Sequence, residues 1–314
     1  MASETPSRPG LAAELRRLML LISGIWKNGR IGGEARQSSL VRMLMRIVPY
    51  SLLRHYVYPT IAGRRCAPYD ARRFFDSYYE TGPSGVDDRL TVSRDWDTLT
   101  TRYHYNSTEN AILEYFLDHG VSEPGNVLDV GSGSGHWVDF YLELFQTTRV
   151  TALDLSAVSV AALGKRYAGE TRVRVVEADI AAENFHFEGT YNIINAVGVM
   201  FHIVEDKPWE KAIRNLAELL EPGGRLIVGG QFGWITRNVQ FHTTDSFSSW
   251  EELNAGSSRV ALVNKRIRSL RRWKHAARQA GLNVEAMVRN RKARHIATPE
   301  NNILVLRKPD PPAK

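Results

Sequence analysis

With 314 residues, 43% of them apolar and 24% charged, the chain can bury a sizeable core as one domain with an extension or as two. A single cysteine, Cys66, excludes an internal disulfide and any zinc site built from several cysteines, and it leaves a reducing compartment as the default. The formal charge of +7 is uneven: residues 1–65 carry eleven Lys or Arg against three acids, so the rest of the chain nets −1. That asymmetry points to a basic arm with an anionic partner rather than to a protein that is basic throughout.

Residues 11–26 and 38–55 show apolar residues at helical spacing, the second through Leu40, Met43, Leu44, Ile47 and Val48, interleaved with Arg42, Arg46 and Arg54. Two basic helices are predicted, read as a collar on the main domain; a flap over a site, or contact with an anionic membrane surface through residues 1–65, is the alternative. The apolar run Leu18–Trp26 is far short of the roughly 20 residues a bilayer span needs. No small-residue cleavage pattern follows it, so a cytoplasmic protein is expected, with peripheral membrane contact as the variant. Asp70 to about Thr101 mixes aromatics, charges and turn residues and reads as an irregular connector, which makes residues 1–100 an extension and 101–314 the main domain.

Beyond it, strand-like runs at Asn126–Val130, Arg149–Asp154, Arg172–Glu177, Tyr191–Val197 and Gly224–Gly229 alternate with helical stretches, the pattern of a parallel α/β sheet. Ser269–Leu282 reads as a helix stopped by Gly281, and Asn283–Val288 and Asn302–Arg307 as an antiparallel hairpin that closes the sheet. A long segment from about 231 to 264, with Phe232, Trp234, Phe241, His242, Phe247 and Trp250, interrupts the regular pattern before that helix and is read as an acceptor-side insertion.

The first of these strands runs into "VLDVGSGSGHW", which sets Gly131, Gly133 and Gly135 at alternate positions behind a strand carrying Asp129. A strand, a glycine turn and a helix form the nucleotide crevice of doubly wound folds, where missing side chains let a ligand approach the backbone. The spacing is G-x-G-x-G, whereas the dinucleotide fingerprint is G-x-G-x-x-G. Asp154 ends the second strand, where a carboxylate can accept hydrogen bonds from both hydroxyls of a ribose, and Asp179 ends the third; each could instead cap the next helix or turn. Upstream, Asn106 followed by Glu109 resembles a capping box at a helix start.

On "VLDVGSGSG", Asp154, "ADI" (Ala178–Ile180) and "LLEPGGRLIV" (Leu219–Val228), the chain resembles the class I S-adenosylmethionine-dependent methyltransferases from about Tyr103 onward. The resemblance implies a Rossmann-like seven-stranded sheet, mostly parallel with an antiparallel C-terminal hairpin. It further implies that Gly131, Gly133 and Gly135 line the methionine and ribose of S-adenosylmethionine and that Asp129 faces its ammonium. Asp154 would hold the ribose, Asp179 and the Ile180 backbone would read the adenine, and Tyr105 and Asn106 would border the pocket.

Methyl transfer to a hydroxyl needs alignment and the removal of a proton. In the segment after the fourth strand, "NAVGVMFHIVED", His202 is the candidate base, with His136 and His104 behind it. An Asn/Asp-Pro-Pro-aromatic motif, as in amino-directed nucleic-acid enzymes, is missing from Asn195–Gly198, and acids for a catechol-type metal are missing after the fourth and fifth strands. No metal is expected, and nucleic acid is not the expected partner. The basic run Lys265–Arg278 is either a solvated face or a contact for an anionic acceptor. The expected activity is methylation of a hydroxyl on a small molecule, lipid or glycan; an RNA methyltransferase and a membrane-surface adaptor of the same fold are the alternatives.

Overall fold

The computed structural model describes residues 70–80, 98–233, 236–242, 262–289 and 302–311. The chain divides into two units, Met1–Ala67 with Asn238–Leu262 and Pro68–Arg237 with Val263–Lys314, and the main sheet with its helices belongs to the second. The basic helices expected over 11–26 and 38–55, Cys66, and most of the 231–264 insertion lie outside the described residues.

The first described element corrects the reading of an irregular connector: α1 spans Ala71–Glu80. Asp70 starts it, its carboxylate accepting from the Arg73 amide at 3.1 Å and its carbonyl from the Phe74 amide at 3.0 Å. Phe74, Phe75, Tyr78 and Tyr79 then come as two adjacent pairs four residues apart, which places them on one side of the helix. Next comes α2, Thr98–Asp118. Here a second expectation fails: Asn106 lies two turns inside this helix and is exposed, so it caps nothing. Thr101, Tyr105, Thr108 and Ile112 are buried at intervals of three and four, and that buried stripe carries the helix straight past Asn106.

The strands agree closely with the sequence expectation: β1 Asn126–Val130, β2 Arg149–Asp154, β3 Val173–Glu177, β4 Tyr191–Val197 and β5 Leu220–Gly230. Between them run α3 His136–Leu144, α4 Ala157–Arg166 and α5 Asp206–Leu219. After β6 (Arg237–His242) and β7 (Leu262–Ile267), which lie outside the main sheet, come α6 Leu270–Gln279, β8 Asn283–Val288 and β9 Asn302–Arg307. The sheet has seven strands in the order β3-β2-β1-β4-β5-β9-β8. Its first five are parallel to one another, and β9 runs antiparallel to both β5 and β8.

β1, β2 and β4 are buried over nearly their whole length, as parallel strands covered on both faces must be. Alternate residues go to opposite cores. Leu128, Val130, Ile194, Ala196, Leu226 and Val228 pack with Trp209, Ile213 and Leu216 of α5 and Trp273 of α6. Val127, Ile193, Ile227, Ile303 and Val305 pack with Ile112 and Tyr115 of α2 and Val138 and Tyr141 of α3.

The basic run before and within α6 is divided: Arg266, Arg268 and Arg272 form a structural clamp, while Arg271, Lys274 and Arg278 lie on an exposed face. Arg266 and Arg268 both donate to Asp206 at the start of α5, at 2.9 and 3.1 Å, and Arg272 pairs with Glu210. Arg268 is 1% exposed, lies 4.2 Å over the Trp209 ring, and donates to the carbonyls of Val204 and Glu205. Burial brings its guanidinium down to about 10 against the pull of Asp206.

The chain leaves β1 for β2 on one side and returns through β4 on the other, so the gap between the carboxyl ends of β1 and β4 is the topological switch point. In open α/β sheets, ligands bind in that crevice.

Candidate functional site

The turn after β1 occupies the switch point. Gly131, Gly133 and Gly135 all have positive φ, of 68°, 54° and 94°, a backbone path that residues with a Cβ adopt only under strain. The first and third glycines are also required by close packing within the protein. A Cβ on Gly131 would lie 2.4 Å from Val199 Cγ2, and one on Gly135 would lie 2.4 Å from the Tyr167 hydroxyl. The segments after β1 and β4 are thus in direct contact. Gly131→Ala is expected to cost about 2–4 kcal/mol of stability through overpacking and strain. A melting curve of the variant superposing on that of the parent would contradict this placement.

Asp129, on β1, is fully buried. One carboxylate oxygen accepts from Asn195 Nδ2 of β4 at 2.8 Å, while the other, Oδ2, has no hydrogen-bond partner among the described residues. Burial pushes its pKa up to about 7, against the opposing hydrogen bond from Asn195, while the Ser132 hydroxyl donates to the Asp129 backbone carbonyl at 3.0 Å. A buried carboxylate oxygen without a donor is costly unless something else satisfies it. The Ser134 hydroxyl, within the same turn, is likewise buried and has no partner among the described residues.

Asp154 at the end of β2 is 5% exposed and braces the turn, accepting from the Gly133 amide at 2.8 Å and from the Ser156 amide at 2.9 Å. Burial raises its pKa, and those donors oppose the rise. Ser156 caps α4, and its hydroxyl donates to Asp76 of α1 at 2.6 Å. The Tyr79 hydroxyl of α1 stands 2.8 Å from where a Gly133 Cβ would be, and burial raises its pKa, with the nearby Asp154 charge adding to the rise. Arg72 of α1 pairs with Glu177 at the end of β3. α1 therefore crosses the carboxyl ends of β1, β2 and β3.

Asp179 is exposed and caps its own turn, accepting from the Ala181 amide at 2.8 Å. Ile180 beside it is buried, its carbonyl held by Asn215 Nδ2 at 2.8 Å. Tyr105 is buried, and its ring stacks on His136 at 3.7 Å. His136 in turn lies 2.9 Å from Glu109 Oε1. His104 sits farther out, 6.1 Å from the Tyr105 ring.

On the β4 side, His202 sits on a turn closed by its amide donating to the Val199 carbonyl at 2.8 Å. Phe75 of α1 meets its ring edge-on at 5.2 Å, and Phe201 lies at 4.6 Å. Burial holds the His202 pKa well below its ordinary value, and the Lys265 charge lowers it further, so the ring is neutral. Lys265 Nζ stands 4.8 Å from the centre of the Phe201 ring. Among the described residues, no cluster of His, Cys, Asp or Glu has the arrangement of a metal site.

A family of methyltransferase domains matches residues 127–224, the stretch from β1 into β5. That stretch, with the seven-stranded sheet around it, has the fold of the class I S-adenosylmethionine-dependent methyltransferases.

The chain is 26% identical over 137 residues to malonyl-acyl carrier protein O-methyltransferase 1 of Ilyobacter polytropus, a match covering 44% of this chain and about half, 47%, of that protein. In fold it is similar to the 1,6-didemethyltoxoflavin N1-methyltransferase of Burkholderia thailandensis, with a TM-score of 0.50 and 20% identity over 78% of this chain and 93% of that one.

Within this fold, the turn glycines, Asp129, Asp154 and Tyr105 converge on the switch point, and Asp154 doubles as the brace of the turn. Asn106 is exposed on α2, and Asp179 is engaged with its own backbone. Three contributors went unread in the sequence: Asn195, Tyr79 and Phe75. Asn195 carried a signal, as a lone amide in the apolar strand "YNIINAV" level with Asp129, its direct partner in the β1–β4 register.

Proposed function

We propose that this methyltransferase transfers the methyl of S-adenosylmethionine to a hydroxyl of a small molecule, with His202 as the base. The observation that carries the cofactor half is the partnerless Oδ2 of buried Asp129 beside the glycine turn, which fits a ligand bringing a cation to that point. An adenosine sulfonium with an ammonium is such a ligand, whereas a dinucleotide's pyrophosphate would be repelled.

Asp129 would hold the ammonium. Asp154 and Tyr79 would meet the ribose, with α1 folded over it, and Ile180 and Asp179 would border the adenine. Bound there, the cofactor supplies a methyl group made electrophilic by its sulfonium.

Everything else falls to the protein: keeping water out, aligning the acceptor oxygen, and taking its proton. Phe75 and Phe201 enclose His202, and a neutral ring nitrogen there can accept the proton of a hydroxyl. Nothing in this step calls for a metal.

The test is to incubate the purified protein with methyl-labelled S-adenosylmethionine and a small-molecule extract or total RNA. Label appearing on a small molecule as a methyl ether is the expected result; label appearing in RNA alone would overturn the acceptor assignment.

A further inference from the structure

The two helices on one face of the sheet carry their charges in sorted order. On α5, Asp206 and Glu210 turn to the α6 side, where Arg266, Arg268 and Arg272 take them up. Lys207, Lys211 and Arg214 follow at intervals of four and three, which puts them together on the side away from buried Trp209, Ile213 and Leu216. Arg271, Lys274 and Arg278 do the same on α6, whose buried side is Trp273, Ala276 and Ala277. Five of these six cations are exposed and Lys211 is half-buried; among the described residues none of them is in an ion pair. The exposed acids are Glu218 on α5 and Glu205 at its cap, and α6 has no acid at all. Composition does not explain this field, because residues 66–314 together net −1. It arises because the other acids of α5 are engaged in the seam between the helices.

The field lacks what most macromolecular partners need. No large apolar side chain is exposed on either helix, and Trp209 and Trp273 are core residues. It therefore has neither the buried anchor that dominates protein interfaces nor a ring on which a base could stack. What it offers is a plane of charge: α5 and α6 pack side by side through the Trp209 and Trp273 rings, 4.7 Å apart, with the long cationic side chains on the outside. A bilayer surface is a polyanion that is flat on this scale.

We propose that the outer face of α5 and α6 docks on an anionic lipid surface. Headgroup phosphates meet all six cations at once. With no apolar residue to insert, the attachment is electrostatic, reversible and weakened by salt. The basic sequence of residues 1–65 adds to the same attraction. Both helices start from the carboxyl edge of the sheet, α5 after β4 and α6 where the Leu270 amide donates to the Gly233 carbonyl just past β5. The docked face thus begins at the edge on which the crevice opens.

Sedimentation of the full chain with vesicles tests this, using phosphatidylcholine alone and phosphatidylcholine mixed equally with phosphatidylglycerol. The parent should bind the mixed vesicles, ignore the neutral ones, and come off as salt is raised. Arg271→Gln, Lys274→Gln and Arg278→Gln combined should lower the partition coefficient about 100-fold, with the melting curve unchanged because glutamine suits exposed helix positions. A control with the same loss of charge elsewhere on the surface, Arg102→Gln, Arg149→Gln and Lys165→Gln, should bind nearly as the parent does. Failure of the parent to bind the mixed vesicles, a triple α6 variant that binds as the parent does, or an equal loss in the control overturns the proposal. So does duplex RNA that the parent holds more tightly than vesicles at the same salt and the α6 variant releases, which makes the partner a nucleic acid.

Discussion

Replacing Asp129 with asparagine should weaken S-adenosylmethionine binding by about 3 kcal/mol, roughly 150-fold, and at the same time make the ligand-free protein more stable at neutral pH. The two effects share one cause. The carboxylate is fully buried with only one of its oxygens engaged, and burial pushes its pKa to about 7. A carboxyl whose pKa is higher folded than unfolded contributes most below the unfolded value near 4. That contribution is lost as pH rises through about 7, amounting to roughly 4 kcal/mol once the group is ionised. Asparagine keeps the acceptor for Asn195 Nδ2 and removes the ionisation, so the variant's melting temperature should exceed that of the parent at pH 8 and match it near pH 4. An ammonium arriving at Oδ2 selects the ionised form. Parent affinity should therefore fall as pH drops below 7, while that of the variant should be weak and flat. A variant that melts lower at pH 8 and binds the cofactor normally would remove Asp129 from the role assigned to it.

The second large effect concerns His202. His202→Ala should lower kcat by about 10²- to 10⁴-fold, the usual contribution of a general base, with cofactor affinity unchanged because the imidazole stands on the β4 side of the crevice. Since the folded environment keeps the ring neutral well below its ordinary titration range, the acid limb of kcat, measured with the cofactor saturating, should lie below the ordinary histidine range. The same depression has a stability consequence: the unfolded chain protonates this histidine below about pH 6.5 and the folded one does not, so folded-state stability declines as pH falls from there. An alanine variant affected only in KM would reassign His202 to the pocket wall.

The sheet was legible because parallel strands buried on both faces read as unbroken apolar runs, and β1, β2 and β4 are of that kind, as is the central antiparallel strand β9. The glycine turn was legible too, but for an incomplete reason. Gly131 and Gly135 are required by Val199 and Tyr167 as well as by their backbone angles, contacts with residues 68 and 32 positions away that no local reading supplies. α1 was missed because its aromatics are paired neighbours, and adjacent aromatics blur a helical period even when both members of each pair reach one side. Asn106 misled for the opposite reason, since a good capping pattern lay within a helix whose buried stripe continues upstream. The basic run at 265–278 left a solvated face and an anion contact both open, because Asp206 and Glu210, the partners of Arg266, Arg268 and Arg272, are some sixty residues earlier in the chain. Lys265 and Phe201 are as far apart in sequence, and only the fold brings the ammonium to that ring.

The central claim is that the crevice between β1 and β4 is built to receive a cationic group of an adenosine ligand on Asp129. Calorimetric titration of S-adenosylhomocysteine at pH 6, repeated in buffers of different ionisation enthalpy, tests it most directly. Binding should release close to one proton, and methylthioadenosine, which lacks the ammonium, should bind more weakly and release none. Tight binding of both ligands without proton release, or tight binding of a nicotinamide dinucleotide in their place, would contradict the account.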